Sequence, residues 1–136
     1  MDKSGMTNVA SAFSPDATAR RLVDAISAHG LSVFARVDHT KNAADVGLEL
    51  RPTELVIFGN GKGGTPIMQA NQRSGIDLPM KALVWQDAEG RVWLMCNDPR
   101  WLADRHGIGP AAGNAMDAMM AGLAAIAAEA TGATPG

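Results

Sequence analysis

The chain has 136 residues, 46% of them hydrophobic and 19% charged, with a formal net charge of −2. That is the size of one domain with apolar residues enough for one core, and it lacks the basic surplus with which nucleic-acid binders neutralise phosphates. Cys96 is the only cysteine, so no intrachain disulfide can form, and a reducing compartment is the natural inference.

Residues 1–5 and 131–136 read as flexible ends around one α+β domain over 6–130. Met1-Asp2-Lys3-Ser4-Gly5-Met6 lacks the apolar run of a signal peptide. The longest apolar stretch, 118–128, is about half of a bilayer span. A soluble, cytoplasmic protein with no membrane and no nucleic-acid partner is expected.

A first strand is expected over about 7–13. Ser14-Pro15-Asp16 then reads as a helix start: a capping hydroxyl, a proline suited to the first position and an acid that complements the dipole. Ala19, Leu22, Val23 and Ile26 form its apolar stripe, Arg20-Arg21 its solvated side, and Gly30 its stop. Leu31, Val33, Ala35 and Val37 alternate with Ser32, Phe34 and Arg36, the period of a half-buried strand. Residues 38–48 suggest a weak helix with a short apolar face of Ala43, Ala44, Val46 and Leu48. Leu55-Val56-Ile57-Phe58 is apolar on both faces, as in an interior strand.

The run Gly59-Asn60-Gly61-Lys62-Gly63-Gly64 reads as a loop, and Thr65-Pro66 opens a short helix to about residue 72. Strands over 80–86 and 91–96 flank Asp87-Ala88-Glu89-Gly90, whose first and last residues suit a tight turn and hence an antiparallel hairpin. Asp98-Pro99 starts a helix ending at His106-Gly107, and Asn114 is placed as the cap of a last helix, about 114–130, carrying Met116, Met119, Met120, Leu123 and Ile126. A hairpin late in a mixed order argues for α+β, with helices packed on an antiparallel-rich sheet in two layers.

Several ordered segments carry a family resemblance. They are residues 31–39, Gly47-Leu48-Glu49-Leu50-Arg51-Pro52-Thr53, Phe58-Gly59-Asn60 and Gly64-Thr65-Pro66-Ile67-Met68. Asp77-Leu78-Pro79, residues 85–90, and Asn97-Asp98-Pro99 with Arg105-His106-Gly107 continue the series. Over residues 12–108 the chain resembles the DUF302 family. The resemblance implies an α+β fold, often a homodimer, and no established activity. The chain departs from the family pattern at Gly59-Asn60-Gly61, where Gly-Asn-Pro is usual; glycine there is the more flexible choice.

The glycine run formally matches G-x-G-x-x-G after a strand, with Asp87 at a distance suited to a ribose. A helix of two turns opening only at Thr65 does not fit a dinucleotide fold. Lys62 stands too early for a Walker loop. What survives is an anion site in which Asn60, Lys62, Gly64 and Thr65 hold a phosphate, sulfate or carboxylate; the plain alternative is a connection that needs positive φ angles.

Asp38, His39, Cys96, Asn97, Asp98 and His106 are acid–base or metal-ligand types, but no tight ligand spacing joins them, so no metal site and no cofactor are expected. Asp98 also serves as an N-cap, and Cys96 suits a buried small hydrophobe. Trp85, Trp93 and Trp101 read as core or interface anchors whose indoles reach backbone partners. The expected function is a non-catalytic small-anion-binding or interaction domain acting as a homodimer, with Asn60, Lys62, Gly64, Thr65, His39 and Asp98 as site residues. The rival is a small enzyme acting on an anionic substrate through His39, Lys62 and Asp98 or His106.

Overall fold

The structure is a computed structural model that describes residues 4–133. Strands β1 (Met6–Ser11), β2 (Ser32–Asp38), β3 (Thr53–Gly59), β4 (Met80–Gln86) and β5 (Val92–Asn97) form one sheet in the order β1-β5-β4-β3-β2. Every neighbouring pair is antiparallel. Helices α1 (Pro15–Ala28), α2 (His39–Asp45), α3 (Gly61–Ala70), α4 (Pro99–Arg105) and α5 (Gly113–Thr131) complete an α+β fold.

The hairpin between β4 and β5 shows why the sheet has two unlike faces. Met80, Ala82 and Val84 alternate with Lys81, Leu83 and Trp85, and the register sets Ala82 opposite Cys96 and Val84 opposite Leu94. With Val56 and Phe58 of β3 they make a buried face, on which Leu22 and Ile26 of α1 and Ile126 and Ala130 of α5 pack. Burying each large aliphatic side chain contributes roughly 1.5–3 kcal/mol. The opposite face carries Leu55, Ile57, Leu83, Trp85, Trp93 and Met95, each only partly buried. Trp85 and Trp93 stack across the strands, centroids 6.3 Å apart.

Two of the expected helix caps form. Ser14 Oγ accepts from the Ala17 N–H at 3.2 Å, and Asp98 Oδ1 accepts from the Arg100 N–H at 2.9 Å. The hairpin turn closes through the Gly90 N–H, which donates to the Asp87 carbonyl at 3.1 Å. Leu55 to Phe58 lie in an interior strand, as their two-sided apolar character requires.

Several expectations need correction. The ends at residues 5 and 131–132 are not loose: Gly5 and Thr131 are buried, and the Ala12 N–H donates to the Thr131 carbonyl at 2.9 Å. Residues 1–3 and 134–136 of those expected ends lie outside the described residues. The apolar face of α2 stays at the surface, with Val46 and Leu48 exposed at 72% and 65%, because the helix ends after seven residues at Val46 and Gly47, too soon to lay that face on the sheet. In β2 a bulge between Val33 and Ala35 breaks the alternation, leaving Phe34 and Ala35 exposed. Asn114 is not a cap but an exposed first-turn residue, since α5 runs on from a 3-10 turn at Gly109–Ala112.

The last correction concerns Arg21 and the indoles. Arg21 is not merely solvated: its Nε and Nη2 donate to the Glu129 carbonyl at 3.1 and 2.8 Å, tying α1 to the end of α5. The Trp85 and Trp93 indoles find side chains rather than backbone, donating to Asn8 Oδ1 at 3.3 Å and Asp87 Oδ2 at 2.9 Å. Among the described residues no helix is long and apolar enough to cross a membrane.

Candidate functional site

β3 delivers the chain to Gly59, and Asn60 turns it into α3. Asn60 Oδ1 accepts from the Gly63 N–H at 2.7 Å, so Asn60 is the N-cap and the glycine run is the first turn of the helix. This overturns the expectation of a loop with a helix opening at Thr65. A strong side-chain cap suffices to wind glycines that carry little helical preference of their own. Pro66 therefore stands inside α3, where it has no N–H to give to the Lys62 carbonyl one turn back.

A helix that begins among the glycines is what the dinucleotide motif asks for. The strands on either side of it rule that motif out. β3 and β4 are antiparallel neighbours, so α3 is no crossover between parallel strands.

α3, the sheet and α5 line a half-open cavity of about 530 Å³. Phe58 and Met80 contribute from the sheet, Met119 and Leu123 from α5, and Met68 and Leu78 from α3 and the segment after it. Asn60, Lys62, Thr65 and His29 supply its polar side chains, and among the described residues no Asp or Glu lines it. Lys62 is exposed and forms no ion pair among the described residues, whereas His29 Nε2 lies 3.1 Å from Glu129 Oε2. Asn60 uses its carbonyl oxygen as the cap, which leaves its NH2 group as the available donor.

Of the predicted site residues, Asn60, Lys62, Gly64 and Thr65 all line this cavity. His39 and Asp98 do not. His39 is exposed at the first position of α2, between β2 and β3. Asp98 is buried as the cap of α4, its backbone N–H donating to the Gly5 carbonyl at 2.9 Å. His106 caps the far end of α4 with Nε2 2.5 Å from Asp77 Oδ2, and Arg105 reaches the same carboxylate at 3.1 Å. It borders a separate void of about 10 Å³, roughly the space of one water. Burial pushes the Cys96 thiol up to about 12, so it holds no thiolate near neutrality. The side chains of the enzyme reading are thus held at separate places.

Sequence reasoning missed the α5 wall. Ala115, Ala118, Met119, Gly122 and Leu123 recur at spacings of three and four, one stripe of a helix. Ala115, Ala118 and Gly122 are small, but alanine recurs throughout α5, so the residue pattern does not single out this face.

The comparisons with known proteins agree with this architecture. The profile described as "Domain of unknown function DUF302" matches residues 7–126. The chain belongs to the DUF302 family. A crystal structure of an uncharacterised conserved DUF302 protein from Bacillus stearothermophilus superposes with a TM-score of 0.82 at 20% identity, covering 93% of this chain and 98% of that one. At that identity the likeness shows the fold.

Two curated relatives from Brucella are more similar in sequence. The "Fluoride-specific ion channel FluC 1" of Brucella suis biovar 1 is 44% identical over 129 residues, which are 95% of this chain and 51% of that protein. The "Fluoride-specific ion channel FluC 2" of Brucella melitensis biotype 1 is 44% identical over 95% of this chain and 48% of its own length. The chain spans about half the length of the curated relatives it matches.

Proposed function

We propose that this DUF302 chain is a non-catalytic, cytoplasmic binding domain that takes a small organic anion into the cavity between α3, α5 and the sheet, and that it acts as a homodimer. The observation that carries the reading is a cavity with apolar walls and a free lysine. Its volume of about 530 Å³ lies in the range of small-molecule pockets, roughly 300–1,000 Å³. Lys62, Asn60 and Thr65 gather at the N-terminus of α3, and among the described residues no carboxylate on the lining competes for the ligand's charge. His39, Asp98 and His106 take no part, which favours binding over catalysis, since a catalytic set needs converging groups.

The two Brucella relatives are named as fluoride channels, and the present chain matches only half of each. With no helix among the described residues long and apolar enough to cross a membrane, the reading for those relatives is a DUF302 half joined to a conducting half. Fluoride itself suits this cavity poorly. A bare halide is far smaller than 530 Å³ and would exchange its water shell for methionine and phenylalanine side chains.

A thermal-shift and calorimetric survey of benzoate, hexanoate, phenyl phosphate and fluoride tests the reading. At least one organic anion should bind, and fluoride should not. Lys62→Ala should weaken that binding about fivefold at low salt, the effect shrinking as salt screens the charge. Silence across all the organic anions would sink the proposal.

A further inference from the structure

The lining along two helices bounds how long a ligand the apolar cavity can hold. On α5 the lining runs from Ala115 to Leu123 through Ala118, Met119 and Gly122. At 1.5 Å per residue that stripe is about 12 Å long. α3 lines the facing side from Gly61 through Thr65 to Met68, a run of about 10 Å. The two helices, on the same face of the sheet, thus bound a groove with room for a chain about 10–12 Å long.

Its walls suit a flexible chain. Met68, Met80 and Met119 all line it, and unbranched thioethers adjust to apolar ligands of varied shape. Small residues widen it where bulk would close it: a Cβ added at Gly122 meets nothing within 4 Å. Among the described residues the ionisable side chains on the lining are Lys62 and His29, and His29 is already hydrogen-bonded to Glu129. One free cation serves a ligand with a single negative head and nothing else to satisfy.

On the reading that this cavity binds an organic anion, we infer that its ligand is an unbranched acyl chain of medium length ending in a carboxylate, the head at Lys62 and Asn60 and the chain along the α5 stripe. An extended chain advances roughly 1.2 Å per bond, so the groove holds about ten carbons. Each methylene buried raises affinity about fourfold, which corresponds to about 0.8 kcal/mol.

The test is calorimetry on the full chain with n-alkanoates from butanoate to tetradecanoate, and with decanol in parallel. Affinity should climb about fourfold per carbon and level off near decanoate. Lys62→Ala should weaken decanoate and leave decanol unchanged. Gly122→Leu places a side chain in the groove at a position open enough to fold, and should weaken decanoate at least tenfold. The mass in solution should not change at saturating decanoate. Affinity independent of chain length would overturn the acyl assignment, even with benzoate bound and the broader anion reading intact. Undiminished binding to Gly122→Leu would overturn it too. Dissociation of a dimer on adding decanoate would do the same, by showing the groove to be filled by a second copy.

Discussion

Gly5 lies flat against the indole of Trp101: a Cβ built on it would sit 2.5 Å from Cδ2 and 2.6 Å from Cγ. The same glycine holds φ at +79°, and its carbonyl accepts the Asp98 N–H that precedes α4. One residue at the edge of β1 therefore fastens the chain's beginning to the helix that follows β5.

Gly5→Ala should destabilise the fold by about 2–4 kcal/mol, the sum of a left-handed backbone and a forced shift of Trp101. Gly30→Ala is the control, because Gly30 holds φ at +75° with nothing within 4 Å of an added Cβ. It should lose only the conformational part, about 1–2 kcal/mol. Equal urea midpoints for the two variants would show that contact with Trp101 contributes nothing.

Cys96 should be silent to alkylation in the native state at pH 8 and react as one thiol in urea. Burial raises its pKa from 9.0 to about 12, so the folded chain keeps it protonated while the unfolded chain ionises it. That contribution to stability is complete below pH 9 and declines as pH rises from 9 towards 12, by roughly 1 kcal/mol per pH unit. The chain has no tyrosine to titrate in the same window. Cys96→Ala should flatten the alkaline decline; an unchanged slope would locate its cause elsewhere.

What was legible in the sequence follows the range of the forces involved. Ser14, Asp98 and Gly90 act on chain neighbours within a few residues, and these two caps and this turn came out as read. Asn60 was singled out as a candidate site residue but not as the cap that winds four residues into helix, because glycine's weak preference pointed to a loop. The α5 wall depends on residues more than fifty positions from Lys62, brought there by the sheet order. A periodic stripe announces that a helix face is buried, but does not announce what it faces.

Asp87 ties the hairpin turn to the exposed face of the sheet. The Trp93 indole N–H holds its carboxyl below the ordinary aspartate value of 3.8, aided by the Arg91 and Glu89 backbone N–H groups. A lowered folded-state value means that this contribution is present above pH 3.8 and lost as pH falls through the lower folded value. Urea midpoints followed from pH 7 to pH 2 should fall more steeply for the parent than for Asp87→Asn, with a shift in Trp emission accompanying the parent alone. Parallel curves would show that the Trp93 bond does not discriminate between the two protonation states.

Self-association is the prediction that the sheet's unpacked face supports. Leu83 lies at its middle, paired with Leu55 on β3 and Met95 on β5, and the stacked Trp85 and Trp93 lie next to it. Five strands spaced about 4.8 Å apart make a face roughly 20 Å wide and about as long, so two copies would bury on the order of 800 Å², the low end for association. Its apolar centre has the aromatic and methionine character typical of interface cores. Leu83 is only partly buried, so Leu83→Lys should leave the monomer folded while setting an unpaired charge at the centre of the contact. Light scattering at micromolar concentration should return twice 14.2 kDa for the parent and 14.2 kDa for Leu83→Lys, with unchanged far-UV circular dichroism. A parent mass of 14.2 kDa would refute the dimer. A variant that stays dimeric would move the contact to another surface, and the exposed Val46, Leu48 and Leu50 beyond α2 would be the next place to substitute.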